Sequence, residues 1–212
     1  MSRSRPEGKP NKRLAFPNPM LVVVSGPSGV GKSTIVAELA RRHPQVVPIV
    51  TATTRDRRDG ELDKVHYHFL TTEEFEELRK RRGLLEHAKV HDHWYGTPID
   101  QVRGILAAGR DAILTIDPQG ARSVRALVPD ALLIFVMPPS IEDLDRRLAR
   151  RGSEDGEELE VRRRDAAVEM GAVGDYDYAI VNETGRPDDA VEQIWGIIQA
   201  EARRDPPRRV RI

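Results

Sequence analysis

Cysteine is absent from the 212 residues. This excludes disulfides, thiolate metal sites and cysteine nucleophiles, and it is what a reducing cytoplasm permits without requiring. An excess of charge of either sign is also missing, because 34 Lys+Arg balance 34 Asp+Glu. No global field therefore draws the chain to nucleic acid or to an anionic membrane, and any basic site must be local. No window approaches the ~18 apolar residues that span a bilayer. The N-terminus lacks a signal-peptide core, since Arg3, Arg5, Lys9, Lys12 and Arg13 are followed only by Leu14, Ala15 and Phe16 before prolines. Internal repeats and heptads are missing too. What remains is one domain of ordinary size, expected in the cytoplasm, with neither a nucleic-acid nor a membrane partner.

What is present is organised around Gly26-Pro27-Ser28-Gly29-Val30-Gly31-Lys32-Ser33. The apolar run Leu21-Val22-Val23-Val24 precedes it, and the helical Thr34-Ile35-Val36-Ala37-Glu38-Leu39 follows. Strand, phosphate loop and helix are the context that turns the G-x-x-x-x-G-K-[ST] pattern into a nucleotide site. Gly26, Gly29 and Gly31 can take backbone angles closed to other residues, so consecutive N–H groups can turn inward around a phosphate. Lys32 adds a point charge, the helix start adds its free N–H groups, and Ser33 is left to ligate Mg²⁺.

Residues 1–19 are basic and proline-rich, with too little apolar content to pack, and read as a disordered arm. The phosphate-loop unit runs to about Arg42, where His43-Pro44 ends its helix. Val46 to Val50 is β-rich and leads into a segment dense in hydroxyls and guanidinium groups, Thr51 to Glu61. Thr71-Thr72-Glu73-Glu74 predicts a helix N-cap before Phe75 and Leu78, and Leu84 to Val90 predicts a short strand. Thr97-Pro98 predicts a cap and first-turn proline for a helix with Val102, Ile105 and Leu106 on one face. Ala112 to Ile116, ending in Asp117, and Ala131 to Val136 are buried-type strands. This alternation predicts an α/β fold, a parallel sheet covered by helices on both faces with ligands at the carboxyl ends of its strands, where Gly26 and Asp117 both fall. The helix from Ile141 runs through Arg146, Arg147, Arg150 and Arg151 into an acidic stretch and then Arg162-Arg163-Arg164, a charged hairpin. Tyr178 to Val181 is the last strand, ending in Asn182, and Pro187 to about Arg204 the closing helix. The tail, 205–212, is proline-broken and expected to fray.

The order of features from about Leu21 to Ala202 resembles guanylate kinase, the P-loop kinase that passes the γ-phosphoryl of ATP to GMP. The resemblance rests on the phosphate loop, Thr53-Thr54-Arg55 with Arg58-x-Gly60-Glu61 and Tyr67, Leu85-Glu86, Tyr95-Gly96-Thr97, Ile116-Asp117-x-Gln119-Gly120, Pro138-Pro139-Ser140, Arg151-Gly152 and Ile180-Val181-Asn182. It implies one domain over 20–204: a core from 20–50, 98–140 and 171–204, a small β-rich GMP-binding part over 51–97, and a helical lid over about 141–170. ATP and GMP, with dGMP, become the implied substrates, and Mg²⁺ the implied cofactor.

The resemblance also assigns residues. Gly26, Pro27, Ser28, Gly29, Val30, Gly31, Lys32, Ser33 and Thr34 would hold ATP, with Asn182 near its base. Thr51, Arg55, Arg58, Tyr67 and Tyr95 match the positions that hold GMP's phosphate, where guanidinium forks and phenolic hydroxyls suit a dianion. Glu86 sits where a carboxylate accepts guanine N1–H and its amine together, with Thr97 as partner for the carbonyl oxygen and Asp117 beside them. Lys32, Arg55, Arg147, Arg151 and Arg162 would carry the positive charge for phosphoryl transfer, although the triple arginine leaves Arg162 or Arg163 open. Mg²⁺ would sit on Ser33, with Asp117 indirect. Two residues depart from the family's usual pattern: Thr115, where an acidic residue is usual, and Pro118, where a larger side chain is commoner. A kinase of the same fold acting on a phosphorylated sugar, or a non-catalytic binding module, is the alternative. The pairs His66/His68 and His91/His93 also have strand spacing that a zinc site could use.

Overall fold

The computed structural model describes residues 18–90, 92–149 and 164–212. Five strands form a parallel sheet: β1 (Leu21–Ser25), β2 (Val46–Pro48), β7 (Asp111–Thr115), β8 (Leu132–Met137) and β9 (Tyr178–Val181), in the order β2-β7-β1-β8-β9. Alternation along β1 decides how its two faces are covered. Val22 and Val24 join a core with Ile35 and Leu39 of α1 (Lys32–Arg42) and Ile194 and Ile198 of α7 (Pro187–Ala202). Leu21 and Val23 join another with Val102 of α3 (Ile99–Ala107) and Val124 of α4 (Pro118–Leu127). Burying each such side chain contributes about 1.5–3 kcal/mol, so the four apolar residues Leu21 to Val24 of one strand tie both helix layers together.

A second sheet of four strands, in the order β4-β3-β6-β5, grows between β2 and α3. It comprises β3 (Ala52–Thr53), β4 (His68–Phe69), β5 (Leu84–Val90) and β6 (His93–Pro98), with α2 (Thr72–Lys80) inserted between β4 and β5. As the sequence predicts, Thr71 and Glu74 form a reciprocal capping box at the start of α2. The predicted cap at Thr97 does not form: Thr97 remains in β6, Pro98 takes the N-cap position, and no side chain caps α3. A buried carboxylate across the sheet takes the Thr97 hydroxyl instead.

The C-terminal tail also departs from expectation. Arg208 is 8% exposed, its guanidinium donating to Glu201 of α7 and to the Ala131 carbonyl, while Val210 and Ile212 pack on the core around α4. A buried acidic partner and an uncovered apolar surface dock the segment, which prolines alone suggested would fray. Of the predicted lid, α5 (Ile141–Ala149) and a helix over 164–170, α6, are described. The acidic stretch between them lies outside the described residues, as does the arm over 1–17. Among the described residues no helix is long and apolar enough to cross a membrane.

Candidate active site

The phosphate loop leaves the carboxyl end of β1 and closes on α1, with Gly26 and Gly31 at φ 139° and 100°, left-handed values that L side chains rarely adopt. Space forbids substitution as well. A Cβ on Gly26 would meet the Val136 carbonyl oxygen at 2.2 Å, and one on Gly31 the Asn182 amide nitrogen at 2.7 Å. Lys32 folds over this concavity, its Nζ donating to the Gly26 and Pro27 carbonyls at 2.6 and 3.0 Å. Ser33 and Thr34 are exposed on the first turn of α1.

Two sequence-predicted residues brace the loop from outside. Asn182, buried at the end of β9, donates its side-chain amide to the Val30 carbonyl at 2.7 Å. Arg147 of α5 donates to Val30 O at 3.1 Å, and to Asn182 O and Thr184 Oγ1 at 2.8 Å each. Desolvation lowers the Arg147 pKa. In this arrangement Arg147 grips backbone and Asn182 locks the loop, so both act here through the cradle's shape. Arg151 and Arg162, the other predicted cover residues, lie outside the described residues.

On the second sheet, Glu86 of β5 is 6% exposed and accepts from Thr97 Oγ1 at 2.6 Å. Burial pushes its carboxyl up to about 7, with the nearby Asp117 charge adding to the rise and the Thr97 hydrogen bond opposing it. The Thr97 hydroxyl is thus engaged by Glu86 in this arrangement. Asp117 ends the turn after β7 and caps α4, one carboxylate oxygen accepting from Gly120 N–H at 2.7 Å. Pro118 takes the first-turn position of that helix, where a missing N–H costs nothing.

The expected phosphate-binding residues gather on one side of the same sheet. Arg55 Nη2 donates to both carboxylate oxygens of Glu61, at 2.7 and 3.0 Å, its Nη1 donates to the Asp56 carbonyl, and the guanidinium lies 5.6 Å from the Tyr67 ring centre. Glu61's hydrogen bond raises the Arg55 pKa further, and the Tyr95 phenol adds to the effect. Tyr67 and Tyr95 meet edge to face at 6.1 Å, and burial pushes the Tyr67 phenol up. Arg58 is exposed beside them, its backbone N–H bound to Glu61. Thr51 is half-buried, and its carbonyl accepts from His68 N–H at the sheet's edge. Glu61 thus aims Arg55, a role that its place in the arginine-rich motif hints at only by proximity.

His66 accepts from Leu62 N–H through Nδ1 and closes a turn, while His91 lies outside the described residues. Among the described residues no group of three His, Cys, Asp or Glu side chains could hold a metal. One residue absent from the sequence reading also touches the loop: Glu169 of α6 accepts from Ser28 N–H at 3.1 Å. No local pattern marks it.

A glycine-built anion cradle at the end of a central parallel strand, in a chain whose second sheet carries its own basic and acidic groups, defines a P-loop nucleotide-binding protein of the kinase type. The family model described as guanylate kinase matches residues 18–201. The chain belongs to the guanylate kinase family. It is 45% identical over 182 residues to the guanylate kinase of Clostridium perfringens strain SM101, covering 86% of this chain and 83% of that protein. To that of Carboxydothermus hydrogenoformans it is 44% identical over 192 residues, covering 90% and 92%. The crystal structure of guanylate kinase from Anaplasma phagocytophilum superposes with a TM-score of 0.72 at 30% identity, covering 88% of each chain.

Proposed function

We propose that this protein transfers the γ-phosphoryl group of ATP to GMP, and to dGMP, giving GDP or dGDP and ADP. The observation that carries the reading is Glu86, a buried carboxylate on the acceptor sheet in a protein whose phosphate loop is intact. An ionised carboxylate accepts the adjacent N1–H and amine of guanine together, whereas adenine offers no such pair there. Thr97 orients Glu86, and the carboxylate oxygen that Asp117's cap leaves over would accept from guanine beside it.

GMP's phosphate would rest on Arg55, Arg58, Tyr67, Tyr95 and Thr51, with Glu61 holding the Arg55 fork in place. The triphosphate would lie along the N–H groups of 26–34, Lys32 leaving the loop carbonyls to follow the transferring group. An oxygen of the GMP phosphate then bonds to the γ-phosphorus as its bond to the bridging oxygen breaks, and ADP leaves with that electron pair. Positioning and charge neutralisation carry such a reaction, with no covalent participant. Arg147, Arg151 and Arg162 are proposed to add positive charge and exclude water.

The donor set fits a hard cation that arrives on nucleotide oxygens: one exposed hydroxyl, Ser33, and one carboxylate, Asp117, with no preformed cage among the described residues. Mg²⁺ bound there would neutralise the outer phosphates. A cytoplasmic location is proposed with this activity.

A coupled ADP-release assay offering GMP, dGMP, AMP, UMP and a ribose bisphosphate in turn tests the reading. ADP should form with GMP and dGMP. ADP formation with AMP and none with GMP would overturn the base assignment, and turnover of the sugar bisphosphate alone would favour the sugar-phosphate reading.

A further inference from the structure

One carboxylate outside these assignments reaches into the phosphate cradle. Glu169 is half-buried on α6, far along the chain from the loop, and its Oε2 accepts from the Ser28 backbone N–H at 3.1 Å. Lys32 attracts it electrostatically, while Asp117 and Asp165 repel it. Burial is the largest influence on its carboxyl and pushes it up, against the pull of Lys32 and the Ser28 N–H. The contact is specific in kind: an amide of a glycine-rich phosphate loop donates to an anionic oxygen.

A carboxylate oxygen is the nearest thing among side chains to a phosphoryl oxygen, anionic and acceptor-only. Lys32 turns inward onto two loop carbonyls while Glu169 satisfies a loop N–H. Carbonyl to ammonium and carboxylate to amide together mimic the pairing that a bound phosphate would supply.

We propose that Glu169 is a positioning residue that takes the place of a phosphoryl oxygen at Ser28 N–H and is displaced when the donor's polyphosphate binds. It keeps the loop shaped for an anion, at the expense of polyphosphate affinity, because its bond must break and its charge opposes the incoming one. A polyphosphate wins the exchange by bringing several oxygens to the other loop N–H groups and to Lys32. The inference rests on reading residues 26–33 as the phosphate cradle.

Calorimetric titration of inorganic tripolyphosphate into the full chain and into Glu169→Gln tests it, since the amide keeps the shape and removes the charge. The variant should bind about three- to tenfold more tightly, a Coulomb effect of the size expected for one charge near a partly buried anion site. A second measurement, amide exchange at Ser28 without ligand, should show protection in the wild type that falls about tenfold in Glu169→Ala. Equal or weaker tripolyphosphate binding by Glu169→Gln overturns the role of Glu169. So does an unprotected Ser28 amide in the wild type, which decides the matter even if a variant fails to fold. Tripolyphosphate binding to neither protein removes the cradle reading itself, and the inference with it.

Discussion

The Thr97 hydroxyl lies 2.6 Å from one carboxylate oxygen of Glu86, and both residues are buried. This single hydrogen bond is too little to offset the desolvation of a charge, which is why the carboxyl rises to about 7. Glu86 is therefore held at a cost to the fold. A group whose folded pKa lies above its ordinary 4.5 favours folding less as pH climbs from that ordinary value through the folded one. Glu86→Gln removes the burden, keeps an acceptor for Thr97, and should raise unfolding free energy at pH 8 by about 1–3 kcal/mol in denaturant titration. The same variant should lose most GMP turnover, because an amide cannot accept both guanine donors as a carboxylate does. Normal GMP kinetics in the variant would remove Glu86 from the site.

The raised carboxyl also predicts a pH dependence of acceptor binding. Guanine needs ionised Glu86, so GMP should bind with proton release at pH values below about 7. The dissociation constant should rise roughly tenfold per pH unit as pH falls below that point, and level off above it. Calorimetry in buffers of different ionisation enthalpy measures the released proton directly, and a flat profile from pH 5.5 to 8 is the contrary result.

Lys32→Ala should lower kcat by about 10²–10³-fold or more, the scale of losing one preorganised charge at the transferring group. Its partners include the carbonyls of Gly26 and Pro27. These lie in a part-buried position that water can reach once the ammonium is gone, so the melting temperature should move by only a few degrees. Rapid-quench single turnovers separate the chemical step from binding.

Thr115 ends β7 two residues before Asp117 and is half-buried. Thr115→Asp adds a carboxylate beside the proposed cation position and should shift the Mg²⁺ titration of activity to lower concentrations, by about threefold or more. An unchanged titration curve would show that the threonine is no handicap to metal use.

Arg208→Ala tests the docked tail. The guanidinium is buried against Glu201, which is also buried, with Asp177 at 3.4 Å. Removing it leaves a buried carboxylate with only the Tyr178 hydroxyl at 2.7 Å and a longer contact to Arg204 at 3.5 Å, and should cost about 3 kcal/mol in equilibrium unfolding. Burial pushes the Glu201 carboxyl up, but the Tyr178 hydroxyl and then the Arg208 guanidinium outweigh it and hold the group below its ordinary value, so Arg208's share of this contribution is present at neutral pH and is lost as pH falls through the acid range. A loss within a few tenths of a kcal/mol would return the tail to the frayed state that its prolines suggested.

The amino-acid sequence alone determines what depends on neighbours along the chain. The phosphate loop between an apolar strand and a helix, the capping box at Thr71 and Glu74, and the strand over Leu84 to Val90 are all set by local periodicity and backbone chemistry. Their ordered motifs also carry the family. Tertiary structure alone decided which faces meet, because spacing tells which side of an element a residue occupies and says nothing of what that side is packed against. Glu86 reads equally as a solvated strand residue until β6 brings Thr97 over it. Thr97 reads as a helix cap until a buried carboxylate takes its proton. Glu169 carries no local signal at all, since its partner at Ser28 is 141 residues away, and only folding brings the two together.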